Sequence, residues 1–451
     1  MLVDEYGRVY SQAFPRSTRM GFSKTIVDLP SDLLLPILSR LDLKDLQSLS
    51  LVSKPFLELS NRFVRKLSFK TLPDDRSFTQ IFTRFSSVNQ ITLNTKRIAC
   101  ALTAISKSQL NLEALIIRNW PTYPEHISLS GKLHIKSLDF CFFSKVQADQ
   151  VVEFIGLFPS LEELHFVELD DADIESLALK VPNLRKINLS GNSHLTDRAL
   201  YALSANCVNL EHIGIVGCQK FTPQGFCTFL LRCQKLRYLD LRYFTEFPPT
   251  NVLLAETVSA CENLHHLSIN YSMITDAILG IIAKSRASLR SFKMKSFYPR
   301  SNIDYTMTGL SAMLCAFQGL TRLFIHLPLP ESDKFLDQKM SELVKSLPCL
   351  RGIAIISYCH IYATFFSLIE NCPIVECIYL DMNVSARDQR HEVPVPRLIR
   401  ENFSVKYILL LPRPDASFKK ALSSFCPCLK EWDGIFPPEV FFPNNPAVCW
   451  T

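Results

Sequence analysis

The sequence predicts an α/β solenoid, with a parallel sheet on the concave face, helices outside it, and a small three-helix module in front. Three observations predict this. A spaced apolar pattern recurs along most of the 451 residues. Leu is abundant, at 64 positions, and Gly is scarce, at 13. Thr-Asp and Thr-Pro pairs stand where helices would start between copies of the pattern.

The pattern is an apolar residue, two variable residues, an apolar residue, one variable residue and an apolar residue. Clear copies are Leu161-Leu164-Phe166, Leu184-Ile187-Leu189, Leu210-Ile213-Ile215, Leu236-Leu239-Leu241, Leu264-Leu267-Ile269 and Leu289-Phe292-Met294. Leu320-Leu323-Ile325, Leu350-Ile353-Ile355, Val375-Ile378-Leu380 and Val405-Ile408-Leu410 continue it. Weaker copies start at Val64, Val88, Leu112 and Ile135, and a last one at Leu429. The starts step by about 26 residues, within the range of short structural repeats. The last two apolar positions are two apart, so both face one side of a short strand. Stacked copies place these strands side by side in parallel, with room for a helix between. Thr196-Asp197 and Thr275-Asp276 precede helical apolar spacings, Thr as cap and Asp at the positive helix end. Thr222-Pro223 opens another helix, with Pro tolerated in the first turn.

Composition excludes several classes. Lys plus Arg number 49 and Asp plus Glu 43, so the net charge is only +6. That is too weak for a nucleic-acid or membrane surface read from charge alone. Residues 1–23 carry Arg8, Arg16 and Arg19 but no apolar run of a signal peptide. No stretch reaches the ~18 apolar residues of a membrane span. The expectation is a cytoplasmic or nuclear chain with reduced thiols. Met20 is an alternative start to Met1, and the sequence does not decide between them.

The fifteen Cys fit the repeats. Cys207, Cys233, Cys261, Cys372 and Cys426 each lie three residues before a repeat start, where other copies have Phe158, Val181, Phe317 or Leu347. A position shared by Cys, Phe, Val and Leu is an apolar packing site. Cys218 lies eight after Leu210, as Asn192 and Asn383 do in their own copies. Cys426-Pro427-Cys428 is too tightly spaced for a zinc site and has no second pair. The stretch LRKINLSGNSHLTDRALYALSANCVNLEHIGIVGC resembles the cysteine-containing subclass of leucine-rich repeats. The likeness is specific over 184–285 and looser elsewhere.

Residues 25–66 read differently. Leu33, Leu34, Ile37, Leu38 and Leu41 give an amphipathic helix after Leu29-Pro30 and Ser31. Asp42 and Asp45 start a second helix carrying Leu43, Leu46, Leu49 and Leu51, and Ser53 with Pro55 opens a third carrying Phe56 and Leu59. Three helices in so short a span need a partner or a neighbouring domain to complete a core. The line IVDLPSDLLLPILSRLDLKDLQSLSLVSKPFLELSNRFVRKLSF resembles the F-box in Leu29-Pro30, the two apolar pairs, Leu41, Asp45-Leu46, Leu49, Val52-Ser53-Lys54 and Phe56. The resemblance implies docking on a Skp-type linker of a cullin–RING ubiquitin ligase, with the repeats holding a protein substrate. By carry-over, the linker-docking candidates are Leu29, Pro30, Leu33, Leu34, Ile37, Leu38 and Leu41; some of them must instead pack the module's own core.

The division expected is a flexible tail at 1–24, the F-box at 25–66, the repeats at 67–436 and a cap at 437–451, where Pro437, Pro438, Pro443 and Pro446 cover the last repeat's edge. Positions two, four and six after each start face away from the core. They include Tyr238, Asp240, Arg242, His266, Asn270, Lys293, Lys295, Arg322 and His326. The group Tyr238, Arg242, His266, Lys293, Lys295, Arg322 and His326 is the candidate substrate surface, and its cations suit an acidic or phosphorylated peptide. The polar stretch 382–397 lengthens one repeat and reads equally as a functional loop or a tolerated insertion.

No catalytic, metal or cofactor motif emerges. Asp170-Asp171-Ala172-Asp173-Ile174-Glu175 lacks the Gly and distant Glu of a calcium loop and reads as a polar turn into a helix. His391-Glu392 does not continue to a second His. The rivals to the ligase-adaptor reading are a repeat scaffold or receptor module outside a ligase, and a small-molecule sensor.

Overall fold

The computed structural model describes residues 2–3, 9–10, 34, 36, 38, 40–41, 43–70, 75–95, 98–118, 133–140, 148–165, 169–242, 252–271, 274–285, 288–295, 304–327, 335–382, 402–411 and 426–429. The chain forms two compact units, one of Met1–Leu169 with Leu179–Leu184, the other of Asp170–Ala178 with Arg185–Thr451.

In the first unit, Leu2–Val3 and Val9–Tyr10 pair antiparallel, so part of the expected tail is paired. Residues 34, 36 and 38 are helical, and the helices Leu43–Ser50 and Lys54–Asn61 follow. Ser53 caps the second, its hydroxyl accepting the Phe56 N–H, and Pro55 stands in the first turn. Leu34, Leu38, Leu46 and Phe56 are the buried apolar side chains described in this segment. Five parallel strands come next: Lys66–Phe69, Gln90–Leu93, Ala114–Ile117, Ser137–Phe140 and Glu163–His165. Register sets Leu67, Ile91, Leu115, Leu138 and Leu164 side by side. At the start of this array Phe69 meets Phe78 and Phe82 of the helix Asp75–Arg84, with ring centroids 5.4 and 6.3 Å away.

The second unit repeats the scheme with nine described strands: Lys186–Asn188, His212–Gly214, Tyr238–Asp240, His266–Ile269, Ser291–Met294, Arg322–Leu327, Gly352–Ser357, Cys377–Met382 and Tyr407–Leu411. All the pairings described among them are parallel and follow chain order. The α/β class and the repeat spacing are those the sequence predicts. Leu239, Leu267, Phe292, Leu323, Ile353 and Ile378 stand in one register row, all at most 2% exposed. Each such side chain contributes about 1.5–3 kcal/mol by leaving water. The strand of the copy at Leu429 lies outside the described residues.

The Cys at the helix ends are packing groups. Cys207, Cys233, Cys261, Cys372 and Cys426 are buried, as are Phe158, Val181, Phe317 and Leu347 at the same repeat position. Asn402 fills that position in a later copy, and its amide donates to the Ile369 and Cys372 carbonyls. The Cys218 thiol donates to the Leu189 carbonyl at 3.1 Å, which also accepts the Asn192 amide at 2.8 Å. Asn383 lies outside the described residues.

The helix starts carry a feature the sequence reading did not contain. Thr196, Thr222, Thr275 and Thr306 cap the helices Asp197–Asn206, Pro223–Arg232, Asp276–Ala283 and Met307–Cys315. The caps at Thr196, Thr222 and Thr306 are themselves held by the first-turn carboxylate of an earlier helix. Asp171 accepts the Thr196 N–H at 2.9 Å and its hydroxyl at 2.6 Å. Asp197 does the same for Thr222, and Asp276 for Thr306. Asp337 accepts the backbone N–H groups of Ala363 and Thr364 and the Thr364 hydroxyl, each at 2.8 Å. The threonine hydroxyl thus donates to one repeat while accepting from its own helix, at Gly225 and Gly309 among others.

This clasp dictates glycine. A Cβ at Gly225 would stand 2.1 Å from the Asp197 carboxyl carbon, and one at Gly309 2.1 Å from an Asp276 oxygen. Gly225→Ala is therefore expected to destabilise the chain by about 1–3 kcal/mol, the range for overpacking. In an Asp197→Ala background the same change should cost clearly less. Urea unfolding of the four chains tests this; equal costs in both backgrounds would remove the clasp as the reason for glycine.

Candidate protein-docking surfaces

In the second unit the side chains not turned into the core share the other face of the sheet. One register row runs Tyr238, His266, Ser291, Arg322, Gly352, Cys377 and Tyr407. The next runs Asp240, Ser268, Lys293, Phe324, Ala354, Tyr379 and Leu409. Arg242, Lys295 and His326 lie two residues beyond members of these rows, on the same face. The strands thus gather the seven candidate substrate residues on one surface.

They do not all remain available there. Tyr238 is buried, stacked on His212 at 5.6 Å and tilted against His266 at 5.9 Å. Arg242 is also buried. Its Nε donates to the Asp240 carboxylate at 2.9 Å and its Nη2 completes a two-point pair. Two buried charges this close must satisfy each other, because either alone would be costly away from water. Asn270 donates to the Arg242 carbonyl at 3.1 Å and fixes the chain there. Arg242 and Asp240 are thus a supporting pair: Arg242 stands on the expected face of the sheet, but buried and paired there.

The remaining cations crowd one another. Lys293 Nζ lies 4.9 Å over the Phe324 ring, a cation–π geometry. Burial, then the Arg242 charge, with a smaller contribution from Lys295, pushes the Lys293 ammonium down to about 7, against the pull of Asp240. Lys295 is lowered by burial and by Arg242, and Arg322 by burial and by Arg351. His266 is pushed down to about 4 by burial and then by Arg322, His265 and Arg290, so it is neutral at pH 7. His326 is also lowered, by burial and then by Lys295, and its ring meets Tyr271 edge-on at 5.6 Å.

Beyond these cations the same face turns apolar. Ala354 and Cys377 are 2% and 4% exposed, with Phe324, Tyr379 and Tyr407 packed half-buried around them. The sequence reading named none of these five. All sit at the two- and four-residue offsets that define the face, so the same rule finds them once apolar residues are counted.

The N-terminal module offers a second surface. Leu34 and Leu38, proposed for docking, are buried, and Leu41 is half-buried. Leu29, Pro30, Leu33 and Ile37 lie outside the described residues. Two neighbours not among the docking candidates are open: Leu51 is 54% and Val52 67% exposed, in the turn between Leu43–Ser50 and Lys54–Asn61.

Among the described residues no three His, Cys, Asp or Glu side chains converge as a metal site. Asp170 and Asp173 accept each other's backbone N–H at 3.0 Å, a reciprocal cap at a helix start. Burial pushes the thiols of Cys207, Cys233 and Cys372 up to about 12, so they stay protonated. No described helix is long and apolar enough to cross a membrane. His391-Glu392, most of the 382–397 stretch and the proline-rich C-terminus lie outside the described residues.

The crowding has a measurable consequence. The unfolded chain holds the Lys293 proton up to the ordinary 10.5, while the folded chain releases it near 7. Between those values the unfolded state binds more protons, so this group makes stability rise with pH. Lys293→Met should remove that part of the rise, read as the difference in urea midpoint between wild type and variant at pH 7 and pH 9.5. An unchanged difference would mean that Lys293 titrates normally.

Comparison with known proteins supplies a family for the N-terminal module. Residues 26–68 match the family described as F-box domain. The match overlaps the first parallel strand, Lys66–Phe69. Among solved structures, the chain is similar to a TLR13–ssRNA13 complex at 14% identity and a TM-score of 0.34, covering 77% of this chain. It spans about half of that TLR13 chain, 53%. The Rad7 and Elc1 complex in yeast matches at 14% identity over 88% of this chain and 84% of that one, with a TM-score of 0.39. The leucine-rich repeat-containing protein LegL7 from Legionella pneumophila matches at 10% identity over 64% and 90%, with a TM-score of 0.38. Residues 26–68 are thus an F-box domain by this match, and parallel strands and helices repeat along the chain beyond it.

Proposed function

We propose that this chain is the substrate-recognition subunit of a Skp–cullin–F-box ubiquitin ligase, acting in the cytoplasm or nucleus. Its F-box docks a Skp-type linker, and the sheet face of the second unit holds a protein substrate for ubiquitination. The chain supplies no catalytic residue and no cofactor in this reading; it positions a substrate for an enzyme carried by other subunits. The observation that carries the reading is the F-box match at residues 26–68 followed by parallel repeats. The exposed pair Leu51 and Val52 supports it, since neighbouring apolar side chains left in water beside a small helical module suit a partner surface.

Two experiments test the halves separately. Replacing Leu51 and Val52 together by Asp should lower co-purification of the linker by about tenfold or more, as loss of apolar anchors does. The fold should survive, because both side chains are exposed. Full linker binding by this variant, together with that of a Leu29→Ala, Pro30→Ala chain, would sink the docking assignment. Replacing Lys293 and Lys295 by Glu should reduce capture of substrate in proteasome-blocked cells while linker binding stays intact. Unchanged capture would remove these lysines from the substrate surface.

A further inference from the structure

We propose that the entry edge of the second unit's sheet holds a partner segment with two carboxylate side chains three residues apart, which complete a row of charges the chain itself leaves unfinished. The proposal names the chemistry of what the adaptor holds, so it rests on the adaptor reading.

The row is fixed by the backbone. The residue one after each repeat start stands where the chain enters a strand. From repeat to repeat, its N–H donates to the carbonyl of the residue at the same position before it, at 2.7–2.9 Å throughout. Every second place in this row is a cation: Arg185, Arg237, Arg290, Arg351 and Lys406. The places between them are Glu211, His265, Thr321 and Glu376.

At both ends an acid serves the cations on either side of it. Glu211 accepts the Arg185 Nε–H at 2.9 Å, and its other carboxylate oxygen lies 3.5 Å from Arg237 Nε. Glu376 lies 3.7 Å from Arg351 Nη1 and 2.8 Å from Lys406 Nζ. In the middle the alternation fails. His265 and Thr321 stand in the acid places, and both are turned to backbone: His265 Nδ1 lies 2.7 Å from the Asn263 carbonyl, and the Thr321 hydroxyl donates to the Arg290 carbonyl at 2.9 Å. The exposed Arg290 therefore lacks an acid on both sides, and Arg322, one residue after Thr321, adds a second cation there. Among the described residues neither guanidinium makes a hydrogen bond or an ion pair. Both stand close enough to His266 to help hold it below its ordinary value, after the effect of burial.

The chain shows what fills such a place, since its own completed positions each hold one carboxylate between two cations. Guanidinium forks match a carboxylate in the same way when a partner supplies it. The two unfilled places are two strands apart, about 9.6 Å at the usual strand spacing. A peptide in the polyproline II form turns the same side outward every third residue, after about 9.3 Å. Acids at the ends of a Glu-x-x-Glu segment thus reach both places from one side. A nucleic-acid strand fits less well, because Glu211 and Glu376 bound the gap and would repel an unbroken row of phosphates.

The test uses the full chain and fluorescein-labelled synthetic peptides read by anisotropy at low salt. One peptide is centred on Glu-Pro-Pro-Glu, a second carries the same charges as Glu-Glu-Pro-Pro, and a third has Gln-Pro-Pro-Gln. The first should bind about fivefold or more tightly than either other, the scale that exposed ion pairs allow. Thr321→Glu, which fills one missing place from within, should remove that advantage. Arg290→Gln, which takes away the cation both acids share, should remove it too and keeps the test decisive if Thr321→Glu fails to fold. Equal affinity for the first two peptides, no measurable binding, or an unchanged preference in the Arg290→Gln chain would each overturn the proposal. So would tighter binding of a single-stranded oligonucleotide, or binding only when both glutamates are replaced by phosphoserine. Linker co-purification is scored in parallel, so loss of peptide binding with the linker retained rejects the edge site and leaves the adaptor reading standing.

Discussion

In a strand, each residue faces one side of its sheet or the other, and a parallel sheet in register makes every neighbour choose alike. The second unit is governed by this constraint. Leu239, Leu267, Phe292, Leu323, Ile353 and Ile378 turn inward together, which forces Asp240, Ser268, Lys293, Phe324, Ala354 and Tyr379 onto the opposite face. A slip of one residue would drive Lys293 into the apolar interior and leave Phe292 in water. The core and the candidate binding face therefore have one cause. The buried Asp240–Arg242 pair belongs to the same logic: the strand ends there, the charges are withdrawn from solvent, and only mutual pairing makes their burial tolerable.

On the helical side the equivalent constraint is the helix start. The first N–H groups of a helix have no partner within it. A threonine side chain satisfies one of them, and the carboxylate of an earlier repeat takes the threonine's own N–H and hydroxyl. The spacing from Asp171 to Thr196 and from Asp197 to Thr222 is the same, so the device passes from helix to helix at the repeat period. It binds neighbouring repeats by directional bonds where apolar packing alone would leave their relative rotation loosely set. The glycine three residues after Thr222 and Thr306 is the steric counterpart of the carboxylate lying against it.

Much of this was legible in the sequence. The apolar spacing located the described parallel strands, because burial demands it at every copy. Thr196, Thr222 and Thr275 announced helix starts through their local chemistry, and Cys207 or Cys233 announced packing by sharing a position with Phe and Val. The clasp was not legible, since a first-turn acid already has a local explanation in the helix dipole and its partner stands a full repeat away. The apolar patch on the sheet face was missed for a different reason. Phe324, Ala354 and Cys377 read as core by type, and only counting their offset from the repeat start turns them outward. Arg242 was placed on the right face, but its pairing with Asp240, two residues earlier, depends on local strand geometry that composition does not reveal. In the N-terminal module, likeness to a family pointed to apolar positions without saying which are filled from within. Leu34 and Leu38 are so filled, and the large apolar side chains open to water among the described residues of the module are Leu51 and Val52.

Repeat arrays draw their stability from neighbouring units, so a local change costs the interfaces it touches and little beyond them. This bears on how the chain would work as an adaptor. The F-box helices belong to the first unit, and Lys293, Arg322 and the apolar group around Ala354 belong to strands of the second. In the proposed adaptor role, substitutions on the sheet face would change what is held, and substitutions in the F-box what is docked. The shared constraint on that face is parity alone: any side chain at an outward position is compatible with the core beneath it provided it needs no burial of its own. A scaffold built this way separates recognition from assembly, because the residues that hold the fold together and those that meet a partner alternate along each strand.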